Sequence, residues 1–278
     1  MVALHARRCA GAIAAWRAAH PHRPLVVVLT GTDLYRDIDH DDDAQRSLAL
    51  ADALVVLNTL GAKRLPPALR AKCHVVLQSC SARQTLPKTG RHLRALMVGH
   101  LRAEKDPRTY FEAARLLADR PDILLDHIGH ALDPALGAEA TALMATHPHY
   151  RWLGGLPHRQ ARARIQAAHV LVHPSRMEGG AHVVIEAVRS GTPVIASRID
   201  GNLGLLGGDY GGCFDPGDAP GLAALLQQAR GVADMLPHLQ AQCAARAPLF
   251  APEAEAAALH QLLGDLLNRP TDPSGAPP

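Results

Sequence analysis

Residues 173–201, HPSRMEGGAHVVIEAVRSGTPVIASRIDG, decide the fold and carry most of the functional information in this chain. An apolar run at 170–172 leads into the stretch, and a second run at 193–196 lies near its end. Between the two runs lie a Gly-Gly turn and an amphipathic segment with helical spacing. The pattern predicts a strand, a turn, a helix and a second strand of a parallel sheet.

Two glutamates, Glu178 and Glu186, bracket the turn and the start of the predicted helix. In an open parallel sheet, ligands bind beyond the carboxyl ends of the strands, where helix N-termini point amide hydrogens at anions. Glu178 follows the strand directly, and Glu186 lies just past the first helical turn. A carboxylate there can accept hydrogen bonds from a ribose or hexose diol, and Gly179 and Gly180 let backbone approach a ligand closely.

The segment resembles the donor-nucleotide motif of GT-B glycosyltransferases, specifically the large retaining family 4. That motif has the form E-G-F-x-x-x-x-x-E-A, followed by a small residue, Gly and Thr-Pro-Val. The resemblance implies that Glu178 is a catalytic residue touching the donor sugar and that Glu186 holds the ribose. Gly180 stands where the family has an aromatic residue, which alters the pocket wall. The donor-binding residues implied around the two glutamates are Gly179, Gly180, Ala181 and His182.

A second loop, VGHLRAEKDP at 98–107, places a glycine turn and cations ahead of a predicted helix start. It resembles the family's G-R-L-x-x-E-K loop, whose arginine and lysine neutralise the donor diphosphate. Lys105 matches the lysine, whereas His100 stands at the arginine position and Arg102 lies two residues on. Either Arg102 replaces the arginine, or His100 does so with a less certain charge, since imidazole is mostly neutral at pH 7. Lys105 and Arg102 are predicted to be catalytic, and His100 to bind the donor.

Two features of the N-terminal part predict an acceptor side. The turn LTGTDL at 29–34 resembles the family's H-G-x-D turn, with Thr30 in place of the histidine. The predicted acceptor-side residues of this turn are Gly31, Thr32 and Asp33, although Asp33 is nearly as well explained as a helix cap. Arg7 and Arg8 follow the first predicted strand, where they either clamp a small anion through their planar forks or form a solvated helix start.

The composition is that of a soluble globular α/β protein with room for two domains in its 278 residues. A net charge of +3 without a Lys/Arg run excludes a typical nucleic-acid partner. No stretch of eighteen apolar residues indicates membrane insertion, and nothing resembles a signal peptide. The five cysteines form no C-x-x-C pair and so indicate reduced thiols. We therefore expect a cytoplasmic location.

We expect neither a metal nor another cofactor. The seventeen histidines are scattered without a recognised ligand spacing. The acidic run DIDHDDD at 37–43 either mimics a metal-binding D-x-D motif or caps a helix, and its place before a predicted helix favours capping.

The resemblance implies a GT-B architecture: two Rossmann-like α/β domains facing a cleft. We predict an N-terminal acceptor-side domain at 1–88, a nucleotide-sugar domain at 89–250, a helix at 251–269 that returns to the first domain, and a disordered tail at 270–278. The chain opens inside a strand at 1–5, without the strand and glycine-rich turn that begin a Rossmann-like half. About two βα units, on the order of 60 residues, are expected to be missing. The first domain is thus predicted to be truncated, with apolar surface exposed on its sheet.

Several segments resemble one branch of the family, the selenosugar synthases of bacterial selenoneine biosynthesis. The resemblance covers about residues 2–230 and rests on four segments: LHARRCAGAI, RPLVVVLTGTDLYRDI, VGHLRAEKDPRTYFEAARLL and IDGNLGLLGGDYGG. It implies transfer of a sugar from a UDP-sugar, with UDP-N-acetylglucosamine as the expected donor, to selenophosphate. Because selenophosphate is already an anionic nucleophile, the protein's task is positioning and leaving-group stabilisation. The alternatives are a family 4 enzyme with another acceptor, and an inactive nucleotide-sugar binding module.

Overall fold

The computed structural model describes residues 1–268, and the predicted tail at 270–278 lies outside them. Ten strands form two separate sheets in which every pairing is parallel. The strands are β1 (Val2–Leu4), β2 (Val26–Leu29), β3 (Ala53–Val56), β4 (Cys73–Val75), β5 (Leu93–Val98), β6 (Ile123–Ile128), β7 (Tyr150–Trp152), β8 (Val170–His173), β9 (Val194–Ser197) and β10 (Cys213–Phe214).

The helices of the described residues alternate with these strands. They are α1 (Ala10–Ala19), α2 (Thr32–Tyr35), α3 (Asp42–Leu50), α4 (Pro67–Arg70), α5 (Pro107–Leu116), α6 (Pro134–Thr146), α7 (His158–Ala167), α8 (His182–Val188), α9 (Asp200–Leu206), α10 (Ala219–Gly231), α11 (Met235–Arg246) and α12 (Pro252–Leu267). Alternation of strands with helices around parallel sheets is the predicted α/β class, and that prediction is confirmed.

The first sheet has the order β1-β2-β3-β4, and helices cover both of its faces. One face packs on α1 and α3, through residues such as Ile13 and Leu48. Leu262 and Leu266 of α12 pack on the other face, so this helix lies on the first sheet although it follows the second sheet in sequence. At the edge strand β1, the side chains of Val2 and Leu4 are exposed.

The second sheet has the order β10-β9-β8-β5-β6-β7. The chain runs outward from β5 through β6 to β7, then returns to the other side of β5 to form β8. The strand order therefore reverses between β5 and β8, and ligands of doubly wound folds bind at such a switch point, beyond the carboxyl ends of the two strands. The four residues of β8 and the four of β9 are all buried, as expected for strands covered on both faces.

The sequence pattern did not predict the short helix α2, nor the helices α9 and α11. Helix α9 has the sequence DGNLGLL, whose two glycines and asparagine disfavour a helix. Its Asn202 and Leu205 are nevertheless fully buried, so tertiary packing stabilises it. Helix α11 carries a proline at its third position, where the first turn of a helix tolerates it. Helices α9 and α11 contact each other, and both also contact α8 beside the second sheet.

Candidate active site

The two loops singled out in the sequence meet at the switch point of the second sheet. β5 leads into the 99–105 loop, and β8 leads into residues 174–178. Because the two strands are parallel, both loops emerge at the carboxyl ends of the strands. Lys105 and Glu178 form an ion pair there. Their side chains are 15% and 11% exposed, so the pair is largely shielded from water but still open to the cleft.

Glu178 is held as a carboxylate by two partners. Lys105 Nζ donates to its Oε1, and His173 Nε2 lies 3.1 Å from the same oxygen. Burial by itself would raise the pKa of Glu178, but the His173 hydrogen bond and the Lys105 charge hold that pKa well below the usual range. Glu178 is thus an anion at neutral pH, and it cannot serve as a general acid there.

The structure distinguishes between His100 and Arg102, the two residues that could take the place of the family's diphosphate-binding arginine. His100 Nδ1 accepts the backbone N–H of His130 at 3.1 Å, which uses the neutral form of the ring. Burial, followed by the neighbouring His130, Arg102 and Lys105, lowers the pKa of His100. Arg102 Nε is buried and has no hydrogen-bond partner within residues 1–268, with its nearest carboxylate oxygen, on Glu104, 4.0 Å away. Arg102 is therefore the better-placed permanent charge for a diphosphate.

Glu186 is nearly buried and is surrounded by cationic and potentially cationic groups. Its Oε1 lies 2.5 Å from His158 Nε2, 3.4 Å from His182 Nδ1 and 3.7 Å from Arg162 Nε. Burial would raise the pKa of Glu186, but the bonds from His182 and His158 lower it overall. The sequence had not singled out His158, because it lies on α7, far from Glu186 along the chain.

The Gly-Gly turn makes close contacts between the two sheets' domains. A Cβ atom on Gly179 would lie 1.5 Å from the carbonyl oxygen of Thr30, and one on Gly180 would lie 2.7 Å from Leu57 Cβ. The carbonyl of Gly179 also accepts a 2.7 Å hydrogen bond from Asn58. The close approach that these glycines permit is to the first domain, and their contact with a donor stays a prediction. Ala181 is buried beside them, at the start of α8.

Asp33 is fully buried and stabilises its own turn. Its Oδ1 accepts the backbone N–H groups of Thr30 and Gly31, both at 2.9 Å, together with the Thr30 hydroxyl at 3.1 Å. Its Oδ2 accepts the N–H of Ala6 at 3.0 Å. Asp33 therefore stabilises the turn at 30–31, but it is not the helix cap that was predicted as the alternative, because it lies inside α2, whose N-cap residue is Gly31. Gly31 is also where the turn touches Gly179.

The predicted arginine clamp is partly neutralised. Arg7 Nε lies 2.9 Å from Asp37, a nearly buried carboxylate that also pairs with Arg36. Arg8 is exposed and has no side-chain hydrogen bond or ion pair within residues 1–268. The acidic run that contains Asp37 also supplies Asp41, whose side chain caps α3 by accepting from Ala44 at 2.8 Å.

His5 is a further candidate site residue, which the family resemblance does not include. It is 5% exposed, lies at the end of β1 and has a φ of 77°, a left-handed conformation that is costly for a residue with a Cβ. Its Nε2 lies 3.0 Å from Thr32 Oγ1. The strain is a property of the folded backbone, so no sequence signal would have revealed it.

The family model described as "Glycosyl transferases group 1" matches residues 81–230, more than half of the 278 residues. The chain belongs to this family. Group 1 relatives include a glycogen synthase of Mycobacterium tuberculosis, which is 31% identical over 187 residues. That match covers 64% of this chain and 40% of the relative, so the chain spans less than half the length of the curated relative.

Solved structures share the fold at low sequence identity. Sucrose-phosphate synthase from Thermosynechococcus elongatus superimposes with a TM-score of 0.77 at 20% identity, covering 96% of this chain and 73% of that one. Anabaena HepE in complex with UDP-glucose gives a TM-score of 0.75 at 17% identity, covering 93% and 76%. The GT-B fold predicted for this group 1 protein is thereby confirmed. Within residues 1–268, no helix has both the length and the apolar character needed to cross a membrane.

Proposed function

We propose that this group 1 protein is a glycosyltransferase that moves a sugar from a UDP-sugar to a small anionic acceptor. The observation that carries the proposal is the Lys105–Glu178 pair at the switch point of the second sheet. It places a cation and an anion together at the edge where doubly wound folds bind nucleotides.

A uridine diphosphate donor fits the charges around this pair. Glu186, shielded from water and held by His158 and His182, offers a carboxylate to the ribose diol. Lys105 and Arg102 lie on the other loop and match the diphosphate. The similar Anabaena protein has been solved with UDP-glucose, which supports the same nucleotide here.

The proposed reaction breaks the bond between the anomeric carbon and the diphosphate oxygen. UDP leaves with both electrons of that bond, and the acceptor's nucleophilic atom donates the pair that forms the new bond to carbon. Lys105 and Arg102 stabilise the charge that builds on the leaving diphosphate, and Glu178 contacts the sugar. An acceptor that is already anionic needs no general base.

Within this class we propose the narrower assignment, a family 4 selenosugar synthase that transfers the sugar of UDP-N-acetylglucosamine to selenophosphate and releases UDP. The product is a 1-selenosugar, and the reaction takes place in the cytoplasm without a metal or other cofactor. Its support is the resemblance of the four segments quoted above. The competing proposals are a family 4 enzyme with another acceptor and a nucleotide-sugar binding module without activity.

The test is incubation of the protein with UDP-N-acetylglucosamine or UDP-glucose, without an acceptor, with selenophosphate or with alternative acceptors, followed by mass spectrometry of the products. The expected result is a new mass equal to the 1-selenosugar, either free or still carrying the phosphate of selenophosphate on its selenium, with one UDP released per product. Lys105→Met serves as the inactive control. UDP binding without a product from any acceptor favours the binding module, and failure to bind UDP contradicts all three proposals.

A further inference from the structure

A cavity of about 380 Å³ lies between the two domains, next to the candidate active site. It is formed by the loop after β8, the loop between β9 and α9, and two elements of the first domain. Glu178 is part of its wall, so the cavity borders the place where the donor sugar is expected. The residues that characterise it are Tyr35, Arg64, Arg176, Glu178, Arg198 and Gly201; we call it the arginine cavity.

The three arginines differ in how far they are already neutralised. Arg64 Nη2 lies 2.5 Å from Asp39, and Arg176 Nε lies 2.9 Å from Asp106. Arg198 is the least engaged. Its side chain makes no hydrogen bond within residues 1–268, and its nearest carboxylate oxygen, on Asp215, is 3.8 Å away on a residue that is 79% exposed.

Neither acidic residue of the cavity wall, Glu178 or Asp200, forms an ion pair with Arg198. Glu178 is already paired with Lys105 and bonded by His173. Asp200 opens α9 and is the other carboxylate of the wall. Arg64 and Arg176 are paired with Asp39 and Asp106, and Glu178 is paired with Lys105. Arg198 and Asp200 are therefore the charged groups of the wall that have no close ion-pair partner within residues 1–268. The Tyr35 hydroxyl, fixed at 3.0 Å by the Asn58 amide, adds a polar group at the first-domain wall.

The predicted clamp on the first domain is a poorer anion site by the same criterion. Arg7 is only 2.9 Å from Asp37, which is also bound by Arg36. An incoming anion there would have to replace a nearly buried carboxylate. At Arg198 it would replace only solvent and a distant, exposed carboxylate, so the electrostatic gain is larger.

We propose that the arginine cavity is the acceptor subsite, and that it binds a small oxyanion of the phosphate class with Arg198 as the main contact. This inference rests on the proposed glycosyltransferase function and names the place and charge of its acceptor. The guanidinium of Arg198 binds two oxygens of the anion bidentately. The other two terminal atoms of the anion, including the nucleophilic one, are then free to face the donor sugar beside Glu178.

Thiophosphate is the probe, because it has the charge and shape of the proposed acceptor and is a single species. It is titrated against protein saturated with UDP, which already occupies the diphosphate site, and binding is followed by the ³¹P line width of thiophosphate. The variants are Arg198→Gln and Arg198→Lys, with Arg164→Gln as the matched control, an exposed arginine on α7 of the same domain. UDP affinity of every variant is measured separately by calorimetry.

We expect Arg198→Gln to weaken thiophosphate binding about 10- to 100-fold, the range for a lost charged hydrogen bond. Arg198→Lys keeps the charge and should recover part of the affinity, while Arg164→Gln should match the wild type. UDP affinity should be the same in all four proteins. Equal thiophosphate affinity in wild type and Arg198→Gln, or no thiophosphate binding by the UDP-saturated wild type, would overturn the acceptor subsite. If the wild-type protein does not bind UDP at all, the proposed function itself is contradicted.

Discussion

Glu178 on the second-domain side of the cleft and Asp33 on the first-domain side are both shielded carboxylates that follow a parallel strand. Glu178 is bonded by the side chains of Lys105 and His173. Asp33 is bonded mainly by the backbone N–H groups of Ala6, Thr30 and Gly31. A ligand can replace a flexible side chain as the hydrogen-bond partner of a carboxylate. It cannot replace the backbone amides of the same turn without unfolding that turn.

The difference shows how a binding carboxylate can be distinguished from a structural one. Where the partners are charged side chains from separate elements, as at Glu178 and Glu186, the carboxylate can exchange a partner for a substrate. Where the partners are local amides, the carboxylate stabilises the backbone conformation. Four experiments test this distinction.

Replacing Lys105 by Met should have the largest effect. Glu178 would keep His173 but lose its cation in a shielded site, and we expect the free energy of unfolding to fall by about 3–5 kcal/mol. Urea denaturation measures this loss. In the double variant Lys105→Met with Glu178→Gln, stability should return while sugar transfer remains lost. A double variant as unstable as Lys105→Met would show that the pair is not what stabilises this region.

Replacing Glu186 by Ala should weaken UDP binding about 10- to 100-fold, because the ribose diol loses a charged acceptor worth about 1.5–3 kcal/mol. Calorimetric titration of UDP against both proteins is the measurement. Glu253→Ala is a suitable control, since Glu253 is an exposed carboxylate in the first turn of α12. Unchanged UDP affinity would remove Glu186 from the donor site.

Replacing Asp33 by Ala should leave buried amides without an acceptor and lower the free energy of unfolding by about 1–3 kcal/mol. UDP affinity, measured on the folded variant, should stay at the wild-type value, because the proposed nucleotide site lies on the second domain. Lost UDP affinity with unchanged stability would reverse the comparison between Asp33 and Glu178.

The smallest effect concerns pH. The hydrogen bond to Glu186 raises the pKa of His182 above its ordinary value, against the opposing effect of burial. Because this pKa is raised, the contact between protonated His182 and Glu186 is fully formed when the pH is below the pKa of an unfolded histidine. The contact is lost as the pH rises through the pKa of His182 in the folded protein. Protonated His182 therefore competes with the ribose for Glu186 at acid pH.

We expect affinity for UDP-glucose to rise a few-fold between about pH 5.5 and about pH 8. UDP-glucose is preferred to UDP, because a terminal phosphate itself titrates near pH 6. In His182→Ala the dependence should flatten. A variant with the same slope as the wild type would assign the effect to another group.

Much of the fold was predictable because its strands are short runs of Val, Leu and Ile separated by helical segments. The strand at β8, the helix at α8 and the turn that joins them follow directly from 173–201. Helix α9 was not predictable, since its glycines and asparagine disfavour a helix and only burial of Leu205 and its neighbours stabilises it. His158 was missed because its partner Glu186 is 28 residues away in sequence. Arg198 was missed because the cavity that it lines is completed by Tyr35 and Arg64 of the first domain.

The sequence by itself determined the parallel α/β class and the two loops at the carboxyl ends of the second sheet's strands, with Lys105 on one loop and Glu178 on the other. It also predicted Glu178, Lys105 and Glu186 as donor-site residues. Local pattern suffices for these because strand ends and helix starts fix where such residues emerge. Only the tertiary structure decided which charges remain free. Asp37 lies beside Arg7, His100 accepts a backbone hydrogen bond, and Arg198 faces a cavity. Such pairings join residues brought together by folding, and electrostatic energy depends on that distance and on burial, which neither spacing nor composition encodes.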